Sequence, residues 1–255
     1  MAEIKLYGYA TSPFVRKTAC FLYFKQVPFK HIPVDPTNPA ATIGHTGGSQ
    51  VPVLEIDGEW RRESSSHAIW LDEIFPDKPL CPAEYSERIL AIDNWLNENY
   101  FPAFFRAAVD SELTLEKRFR FWRLAALVSA HTPLSEEVRN LWPEFVAQAP
   151  FIRAMTEHLD RNEGLADMQV RLALELVAHI GDGPFMGGLQ QPSMLDLAVF
   201  PQLVFGYMFG LEATLSAAAH PVLKDWMQRV AGHLPDNPTL AADHMQVNSL
   251  AILGQ

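Results

Sequence analysis

Two kinds of hydrophobic pattern follow one another along the chain, and they change near residue 80. Short alternating runs with strand character occupy residues 4–7, 27–34, 51–56 and 59–62. Asp57 and Gly58 separate the last two runs, and because both residues tolerate a positive φ they predict a hairpin. Apolar positions at helical spacing predict one helix after Pro13 and another from Ala68 to Phe75. The first part therefore predicts the order β-α-β, loop, β-β, α.

Beyond residue 80 the hydrophobic period is helical throughout. Three prolines interrupt any regular element at the change of pattern: Pro76, Pro79 and Pro82. Ile89, Ile92 and Leu96 share one helix face, and no strand pattern follows them. We therefore predict an α/β plus all-α fold, with one domain at residues 1–77 and an all-helical domain at residues 84–255.

Composition and charge narrow the kinds of partner. The 255 residues are 48% hydrophobic and 20% charged, as in a globular protein with a substantial core. Thirty acidic residues against 20 Lys and Arg leave a net charge of -10, which disfavours nucleic acid and anionic membranes as partners. No secretory signal and no membrane-spanning apolar run occur in the sequence, so we expect a cytoplasmic protein.

The sequence predicts no metal cofactor. Cys20 and Cys81 are the only cysteines, and they form no cluster with histidine. No two of the nine histidines have the i, i+4 spacing of a helical zinc pair. We therefore expect chemistry that depends on other side chains.

Four local motifs occur in order along the chain. They are Ser12-Pro13-Phe14-Val15-Arg16-Lys17, Val51-Pro52-Val53-Leu54, Ser65-Ser66-His67-Ala68-Ile69, and a glycine-rich run leading to Ser193-Met194-Leu195-Asp196. Together they resemble the cytosolic glutathione transferase family over nearly the whole chain. The resemblance implies a thioredoxin-like N-terminal domain, an all-helical C-terminal domain, glutathione as co-substrate and a homodimer.

Ser12 is the first candidate catalytic residue. It lies where a strand passes into a helix, and Pro13 suits the first helical turn. An enzyme that uses glutathione must hold the thiol as thiolate, which a hydroxyl, free N–H groups and the positive end of a helix all favour. The resemblance implies this role for Ser12, while simple N-capping of the helix is the alternative. Thr11 is the second candidate hydroxyl, followed by Tyr9 and Tyr7.

Three residues around the start of the third strand, Gln50, Val51 and Pro52, are candidate contacts of the glutathione backbone. The resemblance implies a cis bond between Val51 and Pro52, which would turn the Val51 main chain outward to pair with glutathione as an added strand. Gln50 matches a position that reaches the glycine end of the peptide. A solvated loop residue is the alternative for Gln50.

The serines before Ala68 are candidates for the γ-glutamyl end of glutathione, because a helix N-terminus suits a carboxylate. Matching the motif on Ala68 makes Ser66 the binding serine and puts Ser65 where the family usually carries an acid. Glu63 and Ser64 form a competing match two residues earlier, which restores the acid. The residues leave both registers open.

Aromatic residues of the first long helix of the second domain are candidates for the electrophile pocket. The aromatic residues are Phe101, Phe104 and Phe105, joined by the neighbouring Arg106 and by Phe14 of the first domain. The alternative is that this stripe belongs to the core. Later in the chain, Ser193 and Asp196 predict a capping box with a structural role at the start of an apolar helix.

We therefore predict an enzyme that conjugates glutathione to a small apolar electrophile. The alternative is a non-catalytic member of the family that serves as an interaction module, because fold alone does not determine function. A glutathione-dependent isomerase, peroxidase or dehalogenase is a third interpretation of the same site.

Overall fold

A four-stranded sheet forms the first part of the molecule. The computed structural model describes residues 2–109 and 113–254. The strands are β1 (Ile4–Gly8), β2 (Lys30–Pro33), β3 (Val53–Ile56) and β4 (Glu59–Arg61). Their spatial order is β2-β1-β3-β4, with β1 parallel to β2 and the other pairs antiparallel.

The predicted hairpin is confirmed. Asp57 and Gly58 connect β3 and β4 with φ values of 51° and 89°, which are those of a type I′ turn. In β3, regular pairing begins at Val53 rather than at residue 51. Pro52 directly before it has no N–H to contribute to the ladder.

Three helices accompany the sheet: α1 (Pro13–Phe24), the four-residue α2 (Ala40–Ile43) and α3 (Ser64–Ile74). The prediction that α3 begins at Ala68 is wrong by one turn. The His67 N–H donates to the Glu63 carbonyl over 3.0 Å, so the helix already includes the three serines. Ser64 and His67 are both buried, which fixes this earlier start through packing.

The second part is helical, as predicted. Its helices are α4 (Ser86–Trp95), α5 (Phe101–Val109), α6 (Leu115–Ser129), α7 (Glu136–Asn140), α8 (Trp142–Gln148), α9 (Pro150–Thr156), α10 (Leu165–Ile180), α11 (Met194–Met208) and α12 (Pro221–Ala231). A π-helical turn, Leu96–Tyr100, joins α4 to α5. Within the described residues after 84, one isolated bridge between Phe185 and Leu189 is the only β pairing. The boundaries at residues 77 and 84 stay a prediction.

One continuous hydrophobic core joins the two parts. Leu6 and Phe21 of the first part belong to the same buried cluster as Leu197 and Phe200 of α11. Helix α1 packs against the sheet, α3 and α11, and ten of its twelve residues are buried. The beginning of α1 is consequently held by residues from both parts.

The predicted capping box at α11 is confirmed. The fully buried Asp196 accepts hydrogen bonds from the N–H groups of Ser193 and Met186, both over 2.9 Å, and from the Trp226 indole over 2.7 Å. One carboxylate therefore ties together the start of α11, the preceding glycine turn and α12. Helix α11 continues through Pro201.

Over the described ranges, no helix combines the length and the hydropathy that crossing a bilayer requires.

Replacing Asp196 tests this arrangement. We expect Asp196→Ala to lower the free energy of unfolding by about 3 kcal/mol, because four buried donors, the Ser193 hydroxyl included, lose their acceptor. Asp167, an exposed acid in the first turn of α10, is the matched control. Asp167→Ala should change stability by less than about 0.5 kcal/mol. Urea denaturation measures both, and equal losses in the two variants would contradict the assignment.

Candidate active site

Ser12 lies at the N-cap of α1, at the edge of the sheet where β1 ends. Its main chain is extended, with φ -77° and ψ 123°, and its carbonyl accepts the Arg16 N–H over 3.1 Å. The side chain makes no capping hydrogen bond, although the residue is only 6% exposed. The N–H groups of Phe14 and Val15 precede the first helical hydrogen bond and stay without an intrahelical acceptor. Hydroxyl and N–H groups together make a site suited to an anion.

The rival hydroxyls differ from Ser12 in their surroundings. The Tyr7 hydroxyl donates to Glu55 over 2.8 Å, so it is already engaged. Burial raises the pKa of Tyr7 and raises the pKa of Tyr9 to about 12, which disfavours the ionised form of both side chains. Thr11 lies half-buried in the turn directly before Ser12.

The peptide bond between Val51 and Pro52 is cis. Val51 is half-buried and precedes the paired part of β3, whose ladder with β1 ends at Tyr7 and Val53. The Val51 main chain therefore lies beyond the regular pairing of the sheet. Gln50 before it is exposed.

The N-terminus of α3 begins at Glu63, which is the N-cap with an extended backbone. The N–H groups of Ser64, Ser65 and Ser66 form the first turn and precede the first helical hydrogen bond. The Ser66 hydroxyl donates back to the Glu63 carbonyl over 2.7 Å. This geometry favours the register in which an acid, Glu63, directly precedes the first serine of the helix.

Ser65 belongs to a polar cluster between the two parts of the molecule. The Lys17 ammonium donates to the Ser65 hydroxyl over 2.9 Å and forms an ion pair of 2.8 Å with Asp93 of α4. Asn97 donates to the other Asp93 oxygen over 3.0 Å. Burial lowers the pKa of Lys17, whereas the charge and hydrogen bond of Asp93 raise it. The cluster ties α1, α3 and α4 together directly behind the first turn of α3.

His67 makes a second connection in the same region. Its Nδ1 lies 3.0 Å from the Thr18 hydroxyl and its Nε2 lies 2.9 Å from the Arg61 carbonyl. The carbonyl can only accept, so the Nε2–H donates and Nδ1 accepts from Thr18. Burial lowers the pKa of His67 to about 4. A neutral histidine thus joins α3 to α1 and to the end of β4.

The sequence interpretation assigned no role to Lys17, Asp93 or His67. A signal was available for Lys17, because it follows Phe14 by three residues and so lies on the apolar face of α1. A charge on a buried face requires a partner. The identity of that partner is not encoded locally.

Three of the five predicted pocket residues come together beside Ser12. The Phe14 ring lies 5.1 Å from the Phe101 ring and 6.4 Å from the Phe105 ring, measured between centroids. Phe101 is fully buried and Phe14 and Phe105 are half-buried. Phe104, at 43% exposure, lies on the outer side of α5 next to Phe105.

Arg106 does not join this aromatic cluster. It is buried, and its guanidinium donates to the Glu163 carbonyl over 2.6 Å, at the loop before α10. Arg106 follows Phe105 by one residue and so turns to another helix face, and its place in the pocket stays a prediction. A surface groove of about 450 Å³ along α10 involves none of the predicted site residues.

No three histidine, cysteine, aspartate or glutamate side chains group as metal ligands in the part of the chain that the structure describes. The prediction of a metal-free site stays a prediction.

The comparisons with known proteins point in one direction. The family model for the glutathione S-transferase N-terminal domain matches residues 6–79. Glutathione S-transferase U4 of Arabidopsis thaliana is 25% identical over 118 residues, which are 45% of this chain and 53% of the relative. The match thus spans about half the length of that curated relative.

Solved structures extend the similarity to nearly the whole chain. A glutathione S-transferase from Rhodospirillum rubrum has a TM-score of 0.57 and 16% identity, covering 89% of this chain and 87% of its own. One from Methylobacterium radiotolerans, in complex with glutathione sulfonate, has a TM-score of 0.57 and 20% identity, covering 94% and 96%. At these identities the likeness concerns the fold.

The Lys17–Asp93 pair yields a further stability test. We expect Asp93→Asn to lower the free energy of unfolding by about 3 kcal/mol, because it leaves a buried ammonium without a counter-ion. The exposed pair between Arg120 and Glu116 is the matched control, and Glu116→Gln should cost less than about 0.5 kcal/mol. Urea denaturation compares the two variants. A small cost for Asp93→Asn would mean that the ammonium is solvated.

His67 predicts a dependence of stability on pH. Its pKa of about 4 in the folded protein lies below the ordinary value of 6.5. Between these two pH values His67 is therefore protonated in the unfolded chain and neutral in the folded protein. The free energy of unfolding should therefore fall by up to about 3 kcal/mol from this group as pH falls through 6.5 toward 4.

Denaturation of wild type and His67→Gln over this pH range measures the effect. The stability difference between the two proteins should shrink as pH falls. His244→Gln, at an exposed position, controls for the loss of a histidine. A pH-independent difference between wild type and His67→Gln would contradict the prediction.

Proposed function

We propose that the chain is a glutathione-dependent enzyme of the glutathione transferase family, because its residues 6–79 match the model of that family's N-terminal domain. It activates the glutathione thiol as thiolate for attack on a small apolar electrophile. The family match and the fold support this proposal.

The observation that carries the proposal is the free hydroxyl of Ser12. A serine at an N-cap usually bonds to the N–H groups of the first turn, yet this one does not. Its O–H can therefore donate to a sulfur anion, while the N–H groups and the positive end of α1 add to the stabilisation. Ser12 is the catalytic residue of the proposal.

The rest of glutathione follows the same edge of the sheet. The Val51 main chain pairs with the cysteinyl part as an added strand, and Gln50 and Pro52 flank this contact. The γ-glutamyl carboxylate binds the N–H groups of the first turn of α3, at Ser64 and Ser65. A relative of the same fold has been solved with glutathione sulfonate, which supports a site for a glutathione-like ligand.

In this register Glu63 meets the ammonium group of the ligand. The Ser66 hydroxyl stays within the helix turn, so Ser66 contributes its N–H group at most. An acid at this position supplies the partner for the ammonium group that the alternative register, with Ser65 at the acid position, lacks.

The electrophile binds against Phe14 and Phe105. The half-buried Phe14 ring lies 5.1 Å from the buried Phe101 ring and 6.4 Å from the Phe105 ring, and Phe14 is two residues from Ser12 in the sequence. Apolar surface of this kind favours an apolar or aromatic electrophile over a charged one. We further propose a cytoplasmic homodimer, which the family resemblance implies.

Ser12→Ala is the direct test of the proposed function. We expect kcat/KM for conjugation of a generic aromatic electrophile to fall about 10- to 100-fold, because a hydrogen bond to a charged group is lost. Retention on immobilised glutathione should persist. Thr11→Ala is the matched control. Because the Thr11 hydroxyl donates no hydrogen bond to the thiolate in this proposal, the variant should retain wild-type activity within about threefold.

Each other outcome overturns a part of the proposal. Loss of activity in Thr11→Ala alone would transfer the role to Thr11. Absence of both retention and turnover in the wild type, with capture of a protein partner, would support the interaction module. Turnover only with isomerisable, peroxide or halogenated substrates would retain the thiolate but change the reaction class.

A further inference from the structure

Two adjacent cationic residues of α1 are buried, but they differ in whether an acidic side chain pairs with them. Lys17 has Asp93 as its counter-ion. Arg16, only 1% exposed, forms no ion pair with any residue that the structure describes. Its guanidinium donates to neutral oxygens instead: to the Ala10 carbonyl over 2.9 Å and to the Gln202 side chain over 2.6 and 3.1 Å.

Burial without a counter-ion is unusual for arginine, because the charge loses its hydration and gains no opposite charge. The Phe205 ring, 3.9 Å from the guanidinium carbon, offers partial compensation. Burial lowers the pKa of Arg16 to about 9, so the group remains cationic at neutral pH. The first turns of α1 thus carry one net positive charge in an apolar environment.

This charge lies at the loop that carries Ser12. Arg16 holds the carbonyl two residues before Ser12, and Gln202 of α11 donates to the Pro13 carbonyl directly after it over 2.9 Å. Helical side chains point toward the N-terminus of their helix, which brings the guanidinium back toward this loop. Arg16 and Gln202 therefore hydrogen-bond to the main chain of the loop on both sides of Ser12.

We propose that Arg16 is a positioning residue whose uncompensated charge favours the thiolate form of glutathione bound at Ser12. The inference rests on the proposed function and extends it. The buried charge of Arg16 adds a third source of thiolate stabilisation to the Ser12 hydroxyl and the N-terminus of α1. The thiol proton leaves to solvent, since Arg16 is already protonated. The thiolate then supplies the counter-charge that the protein itself does not provide.

The test is the pKa of the bound thiol, read from the ultraviolet absorbance of the thiolate and from the pH dependence of kcat/KM. We expect Arg16→Met to raise this pKa by about one unit, which leaves about tenfold less thiolate at neutral pH. Arg16→Lys retains the charge and should keep the thiol pKa within about 0.3 units of wild type, even if stability falls.

Arg123 is the matched control. Like Arg16 it donates to neutral oxygens, here the main-chain carbonyls of Phe209 and Met245, but it lies on α6. Arg123→Met should leave the thiol pKa unchanged.

Because Arg16→Met can fail to fold, Gln202→Glu provides a second variant that retains the arginine and gives it a carboxylate partner. Gln202→Glu should raise the thiol pKa, as Arg16→Met does, because the new carboxylate neutralises the charge of Arg16.

The outcomes separate this inference from the proposed function. A wild type that binds no glutathione overturns both. A wild type with a depressed thiol pKa that persists in Arg16→Met and Gln202→Glu overturns this inference alone and leaves Arg16 a structural role. A pKa shift of equal size in Arg123→Met would likewise overturn it.

Discussion

Helix α1 is buried from the sheet side, from α3 and from α11, and this burial constrains most of what surrounds it. Its sequence includes Arg16, Lys17 and Thr18 in succession, and none of them reaches solvent. Buried polar groups need partners, so each must be satisfied by another element: Gln202 of α11, Asp93 of α4 and His67 of α3. The start of α1 is therefore defined by the whole molecule.

The same constraint organises the candidate site. Because the polar face of α1 is matched by α3 and α11, the N-termini of α1 and α3 are held along one edge of the sheet. Helix N-termini attract anions, and glutathione offers a thiolate and a carboxylate. The hydroxyl of Ser12 is free because other groups hold its loop: the main chain of α1, Arg16 and Gln202. The buried contacts of Arg16 and Gln202 thus hold the loop in place, and the Ser12 hydroxyl remains available to donate a hydrogen bond to a ligand.

Local signals succeeded where the chemistry is local. Asp57 and Gly58 form the expected I′ turn because their φ preferences act within four residues, and Ser193 with Asp196 forms the expected capping box. The start of α3 was missed because three serines in a row suit both a cap and a first turn. The burial of Ser64 and His67 decides between them, and that burial depends on α1 and β4. Arg106 hydrogen-bonds to the Glu163 carbonyl rather than following the direction of Phe105, since one step along a helix turns a side chain by about 100°.

The sequence by itself determined the succession of an α/β part and a helical part, the hairpin, the serine at the head of α1 and the family resemblance. These features follow from periodicity, turn preferences and short motifs, all of which act over a few residues. Only the tertiary structure decided the register of α3, the pairing of Lys17 with Asp93 and the absence of a counter-ion for Arg16 among the described residues. Such facts depend on contacts between residues up to 186 positions apart, and no local preference encodes which distant side chain will lie opposite a buried charge.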